Sequence, residues 1–276
     1  MRGQEEPLRR QLILFFPGKA DPLRPVRFFL STLFVMTKLM NRPSTPDLQG
    51  VSPDDLEIMR QAGLQILECY RVLQKSGDNI VGEILRGNEP FVELDHYPPG
   101  DIYDPASHSQ YYYHAHRDGE HGHFHTFLRE EGMAPAWQPT QQSSMDYMTE
   151  RGDTICHLIA ISMDPAGYPR SLFTTNRWVT AENWYSGEDA IAMLDNFEID
   201  LVPPSWPVNI WLSAMLRLFR PQIIELIGER DRAVDTWKKD HPGKDVFEDR
   251  GLEITSEALI SVEQQIIAIN KALKLN

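Results

Sequence analysis

Cysteine is scarce in this chain, and the motifs that would use it are missing. Only Cys69 and Cys156 occur among 276 residues, far apart, and no CxxC pair or zinc-ribbon spacing is present. A framework of disulfide bonds is therefore not expected, and a reducing compartment is the simpler interpretation. We accordingly expect a cytoplasmic protein.

Basic residues are outnumbered by acidic ones. The chain has 27 Lys and Arg against 40 Asp and Glu, which gives a net charge of −13. A surface of this sign repels phosphates, so nucleic acid is not an expected partner. The sequence also has no glycine-rich phosphate loop, no Gly-x-Ser-x-Gly elbow and no set of kinase motifs, so it offers no support for those enzyme classes.

Long hydrophobic runs are absent too. The apolar stretch between Val26 and Met40 is interrupted at Lys38, and its run of ~10 residues is too short to span a bilayer. Basic residues precede it, as in a signal peptide, but no small-residue cleavage site follows and prolines break the segment. We expect residues 1–50, which hold eight basic and four acidic residues, to be a poorly structured or weakly attached tail. A signal peptide or membrane anchor is the alternative.

The remaining residues, 51–276, are expected to form a single α+β domain with a central antiparallel sheet and helices at both ends of the chain. Ser52-Pro53-Asp54-Asp55 is typical of a helix N-terminus, and apolar residues at helical spacing continue to Ser76. We expect a kink at Pro221, which cannot donate its backbone hydrogen bond. The other predicted elements are a loop over 98–107, strands over 153–163 and 169–180, and helices over 187–197, 207–240 and 261–275.

Histidine is concentrated in one short segment. Five of the nine histidines lie within the twelve residues from position 114 to position 125. Asp118-Gly119 is a favoured two-residue turn, so its flanks predict a β-hairpin. In that register His116 faces His121, His114 faces His123 and Tyr112 faces His125, which places all five histidines on one face. The five are His114, His116, His121, His123 and His125.

This arrangement predicts a metal site. Imidazoles have an ordinary pKa of ~6.5, so crowded protonated rings would repel one another, and a bound cation keeps them neutral. Imidazole suits several transition metals, and we expect Zn, Fe or Cu held by three or four of the five rings. The alternative is a set of hydrogen-bonded or surface histidines. A three-residue loop over 118–120 would turn the histidines of the second strand to the opposite face.

Two further residues are candidates for chemistry. His157 lies inside an apolar strand and Glu120 flanks the turn, so either could act as a general base or an extra ligand. The alternatives are a satisfied buried histidine and a solvated charge paired with Arg117. Arg177 could bind a carboxylate or phosphate, although a salt bridge with an acidic residue is the favoured interpretation.

Two resemblances can be stated. The pattern His114-x-His116-xxx-Glu120 resembles the first metal motif of the cupins over these residues alone, and it implies His114, His116 and Glu120 as ligands. The run YYYHAHRDGEHGHFHTF, with HLIAISMD and LFTTNRW, resembles a bacterial family of unknown function over most of 52–276, which implies no activity.

From the residues we expect a metalloenzyme with hydrolytic or oxidative chemistry on a small-molecule substrate. The alternatives are a metal-sensing, storage or delivery domain, and a structural protein with hydrogen-bonded histidines.

Overall fold

A six-stranded antiparallel sheet, with helices before and after it, organises the chain and confirms the predicted α+β class. The computed structural model describes residues 47–88, 91–116, 121–142 and 154–275. Most of the predicted tail and the whole Asp118-Gly119 turn lie outside these ranges.

The strands lie in the sheet in the same order as in the chain, and each pairs antiparallel with the next. Short connections join β1 to β2 and β4 to β5, whereas most of the helical segments lie between β5 and β6. The strands are β1 Tyr97–Tyr103, β2 Ser109–His114, β3 Gly122–Arg129, β4 Ile155–Met163, β5 Pro169–Thr175 and β6 Ile254–Leu259.

Seven α-helices occur in the described part of the chain, and the first begins as predicted. The Ser52 hydroxyl accepts a hydrogen bond from the backbone N–H of Asp55, and Pro53 occupies the first helical turn. None of these helices combines the length and the hydropathy that crossing a membrane requires. The helices are α1 Pro53–Lys75, α2 Ile80–Leu85, α3 Arg177–Thr180, α4 Gly187–Met193, α5 Trp206–Leu218, α6 Arg220–Asp240 and α7 Val262–Ala272.

Three predicted elements need correction. The helix expected over 207–240 is two helices that meet at Phe219, just before Pro221, which has no N–H to continue the ladder. The strand expected over 169–180 ends at Thr175, because the Asn176 side chain accepts from the Arg177 backbone N–H and starts α3. The loop expected over 98–107 is largely strand β1.

Strand β1 is unusual in composition for a strand. Its sequence is YPPGDIY, and the pairing with β2 shifts between Tyr97 and Ile102. Proline is tolerated at a sheet edge or in an irregular stretch, where no ladder hydrogen bond is lost. The bulged register therefore explains why this strand escapes a pattern search.

The two faces of the sheet differ in chemistry. One face carries Tyr111, Tyr113 and Phe124 into the main apolar core, where Tyr111 donates to Asn209 of α5 and Phe124 contacts Trp211. Alternation along β2 and β3 sends Tyr112, His114, His123 and His125 to the opposite face. We call this second side the histidine face.

Candidate metal centre

The register of the hairpin strands is the predicted one. Tyr112 pairs with His125, Tyr113 with Phe124 and His114 with His123. Since directly opposed residues share a face, His114, His123 and His125 point the same way. The pairing between the two strands ends at His114, so the expected His116–His121 pair is not part of the ladder.

Three buried histidines converge on the histidine face. Their side chains offer ring nitrogens that all lie within 4.8 Å of one another, which is a spacing that could hold a metal ion. The closest approach joins Nε2 of His114 to Nε2 of His123, at 2.8 Å. We call His114, His123 and His125 the histidine triad.

His116 lies beside the triad but at its outer edge. Its ring centroid is 4.8 Å from that of His114 and 5.0 Å from that of His123, with the planes nearly perpendicular. Unlike the triad, His116 is exposed. The structure thus brings together four of the five histidines that the hairpin pattern selected.

His121 is the exception, and the prediction that all five histidines share a face is wrong at this residue. Its Nδ1 lies 2.7 Å from the hydroxyl of Tyr113, whose side chain belongs to the core on the other face. The backbone N–H of His121 bonds to Met163 of β4 rather than to β2. Because β2 no longer pairs here, strand alternation does not decide where this ring points.

His157 joins the histidine face through an irregularity in the sheet. Phe127 pairs with His157, and the next pair joins Thr126 to Ile159, so Leu158 is an extra residue in β4. Such a bulge redirects side chains. It places Nε2 of His157 3.0 Å from Nδ1 of His125, in a buried position.

This contact has a consequence for His125. In a neutral imidazole one ring nitrogen donates and the other accepts. If Nδ1 of His125 donates to His157, Nε2 keeps its lone pair, and that buried Nε2 has no hydrogen-bond partner among the residues that the structure describes. A metal-bound histidine is commonly held in this way, through its second nitrogen.

A buried carboxylate, that of Glu182, is hydrogen-bonded to the backbone of His157. The backbone N–H of His157 donates to Glu182 at 2.6 Å, and Thr180 donates to the other carboxylate oxygen at 3.3 Å. Burial raises the pKa of Glu182 to about 7, against the opposing effect of the Arg230 guanidinium. Nothing in the sequence pattern singles out Glu182, because its contact with His157 joins residues 25 positions apart in the chain.

Burial lowers the pKa of three of these histidines and so favours their neutral form. Burial, followed by the neighbouring His123, His116 and His96, lowers the pKa of His114 to about 2. Burial also lowers the pKa of His157 to about 3, with a further contribution from Arg230, and takes the pKa of His125 well below its ordinary value. Neutral rings keep the lone pairs that a metal ion needs.

Aromatic side chains surround the triad. Tyr112 lies 5.1 Å from both His114 and His125, and Phe173 lies 5.3 Å from His123, measured between ring centroids. His96 stacks on Tyr112 from outside and meets His114 edge-on at 5.5 Å. Sequence patterns missed His96, because a lone histidine in a proline-rich stretch has no periodicity to mark it.

Glu120 and Arg177 are the remaining candidates from the sequence. Glu120 lies outside the described residues, so its role and the ligand set implied by the cupin resemblance stay predictions. Arg177 makes the favoured salt bridge, donating to Glu248 and to the carbonyl of Gln142.

The sequence of the chain matches a protein family over most of its length. The family described as a domain of unknown function, DUF6969, matches residues 60–260. The chain belongs to this family. The match confirms the resemblance to a family of unknown function, contains the histidine triad, His96, His116 and His157, and brings no activity with it. No curated protein and no solved structure matches the chain.

Proposed function

We propose that this protein is a metalloenzyme that binds one transition-metal ion at His114, His123 and His125. The observation that carries the proposal is the convergence of three buried ring nitrogens within 4.8 Å of one another. Such a set matches the imidazole ligands that Zn, Fe and Cu accept.

The geometry requires small adjustments on binding. Two nitrogens at ~2.0–2.1 Å from one tetrahedral zinc ion lie ~3.3 Å apart. The 2.8 Å pair of His114 and His123 would open slightly, and the wider separations would close. The lone pair on His125 Nε2 is available because its partner nitrogen is engaged by His157.

Three protein ligands favour catalysis over a purely structural role. Structural zinc sites are closed by four protein ligands, whereas catalytic sites keep a position open for water or substrate. A metal ion there would supply Lewis acidity, an activated water or an oxygen-binding site for hydrolytic or oxidative chemistry on a small molecule. His116, at the exposed edge, is the candidate for a fourth ligand, and a closed four-histidine site would favour storage or sensing instead.

His121 is not part of the proposed ligand set, since its ring is bonded to Tyr113. We propose a positioning role for His157, because its buried Nε2 is already engaged with His125. A general base has to reach the substrate proton that it removes.

Elemental analysis of protein purified without an affinity tag tests the proposal. We expect about one equivalent of metal per chain, and we expect His123→Ala to abolish its retention because one of three ligands is lost. His241→Ala is the matched control, since His241 stacks on Trp237 far along the chain. A metal-free parent whose melting temperature does not change on chelation would contradict the proposal and leave a set of hydrogen-bonded histidines.

A further inference from the structure

His96 stands at the boundary between the histidine triad and solvent. Its ring lies parallel to Tyr112, with centroids 3.7 Å apart, and meets His114 edge-on. The side chain of His96 is 41% exposed, whereas His114 as a residue is only 8% exposed. His96 therefore touches the triad on one side and open space on the other.

The orientation of His96 is set by a chain of hydrogen bonds. Its Nδ1 lies 2.9 Å from Oδ1 of Asp101, and the other oxygen of Asp101 accepts from Gln110 at 2.7 Å. Gln110 is held in turn by buried Arg129, which donates to it at 2.6 Å. Because an ionised carboxylate only accepts, Nδ1 of a neutral His96 ring donates to it, and Nε2 of that ring is then an acceptor.

A cavity of about 420 Å³ adjoins this ring. Two other residues that line it carry hydrogen-bond acceptors. Asp95 contributes a carboxylate, and Asn88 keeps its side-chain oxygen because its amide nitrogen donates to the carbonyl of Arg86. No lysine or arginine occurs among the described residues that line the cavity. These residues are Asn88, Asp95, His96, Tyr97, Pro99 and Gly100.

We propose that this cavity is the substrate-binding subsite of the metal centre and that His96 is its recognition residue. The acceptors His96 Nε2, Asp95 and Asn88 suit a small neutral or cationic molecule that carries hydroxyl or amine donors. An anionic substrate would meet the Asp95 carboxylate, and none of the described lining residues carries a positive side chain to compensate it. This inference rests on the proposed function, because it makes the cavity the approach to the triad.

Zinc-loaded protein tests the inference, with ethanolamine and glycerol as probes and glycolate as an anionic probe of similar size. Calorimetry measures the affinity, and the ring proton resonances of His96 report contact. We expect ethanolamine and glycerol to shift these resonances and glycolate to bind more weakly than either. His96→Phe keeps an aromatic ring to stack on Tyr112 but removes the acceptor, so probe affinity should fall about five- to tenfold, the loss expected for one hydrogen bond.

Matched variants separate recognition from metal loading. His241→Phe makes the same substitution elsewhere and should leave probe affinity unchanged, and His96→Phe should leave zinc content unchanged. A parent that retains no zinc overturns the proposed function. A zinc-loaded parent that binds none of the probes, prefers glycolate, or keeps its affinity in His96→Phe overturns this inference.

Discussion

The hydrogen-bond partners of the two ring nitrogens decide which histidines of the site can bind a metal ion. His125 is the clearest case, because one nitrogen faces His157 and the other has no partner among the described residues. An unpartnered buried acceptor costs free energy that a bound ion would recover. His121 shows the reverse, since Tyr113 engages its ring on the other face of the sheet.

Removal of the His157 acceptor should weaken metal binding without removing a ligand. We expect His157→Phe to lower the affinity about 10–100-fold, as is usual when the partner of a metal-bound histidine is lost. His157→Gln can still accept from Nδ1 of His125 and should retain more of the affinity. Competition with a chromophoric chelator measures both variants. Equal affinity in the Phe variant and the parent would show that the contact does not orient His125.

At the level of elements, the start of β3 depends on a residue without a side chain. A Cβ on Gly122 would lie 2.7 Å from the backbone carbonyl of His114 and would also collide with the ring of Tyr113. The carbonyl cannot rotate away as a flexible side chain could. The close approach of β2 and β3 at the His114–His123 pair therefore requires glycine at this position.

Gly122→Ala should destabilise the fold by about 1–3 kcal/mol, the usual cost of forcing atoms into a packed site. Urea unfolding measures this change. Gly228→Ala is the control, because its Cβ would meet only the flexible end of Arg232, at 3.4 Å. Alanine is favoured over glycine inside a helix by up to ~1 kcal/mol. Equal stability of Gly122→Ala and the parent would contradict the packing argument.

Elements with strong local signals were predictable. The Ser52-Pro53 cap gave the correct start of α1, and the Asp118-Gly119 turn gave the correct register for Tyr112, Tyr113 and His114. Strand β1 was missed because its pairing, rather than its composition, makes it a strand. Each success came from chemistry contained within a few neighbouring residues.

The remainder of the site depends on tertiary contacts. The ring of His121 follows Tyr113, and His157 reaches His125 through a one-residue bulge that no periodicity reveals. His96 and Glu182 are joined to the site by packing and by hydrogen bonds from other strands and loops. Such contacts form between segments distant in sequence, so a pattern in one segment does not contain them.

For the whole molecule, the buried histidines make stability depend on pH. Their folded pKa values lie below the ordinary value of 6.5, so the unfolded chain binds more protons in acid. Their stabilisation is present above pH 6.5 and is lost as the pH falls from 6.5 towards 3 and 2. Glu182 acts oppositely, since its raised pKa favours the folded state below 4.5 and that gain is lost as the pH rises through about 7.

The effect of three buried histidines on stability outweighs the opposite effect of one carboxyl group. We therefore expect the metal-free protein to lose stability on acidification. Each buried histidine contributes up to ~1.4 kcal/mol per pH unit below its unfolded pKa. Urea unfolding at pH 7.5 and pH 5.5 measures the difference, and His157→Gln should reduce it by removing one of the three groups. An unfolding free energy that is the same at both pH values would argue against neutral, buried rings.

The order of the strands has a consequence for how the site is assembled. Residues 96–157 supply the triad and its neighbours His96, His116 and His157, and strands β1 to β4 are neighbours in both chain and sheet. Loop-closure entropy grows with the length of chain that must be closed. β6, by contrast, joins β5 only after a long helical segment. The last third of the chain completes the sheet edge, while the three histidines of the proposed metal site come from two neighbouring strands, β2 and β3, of one continuous stretch.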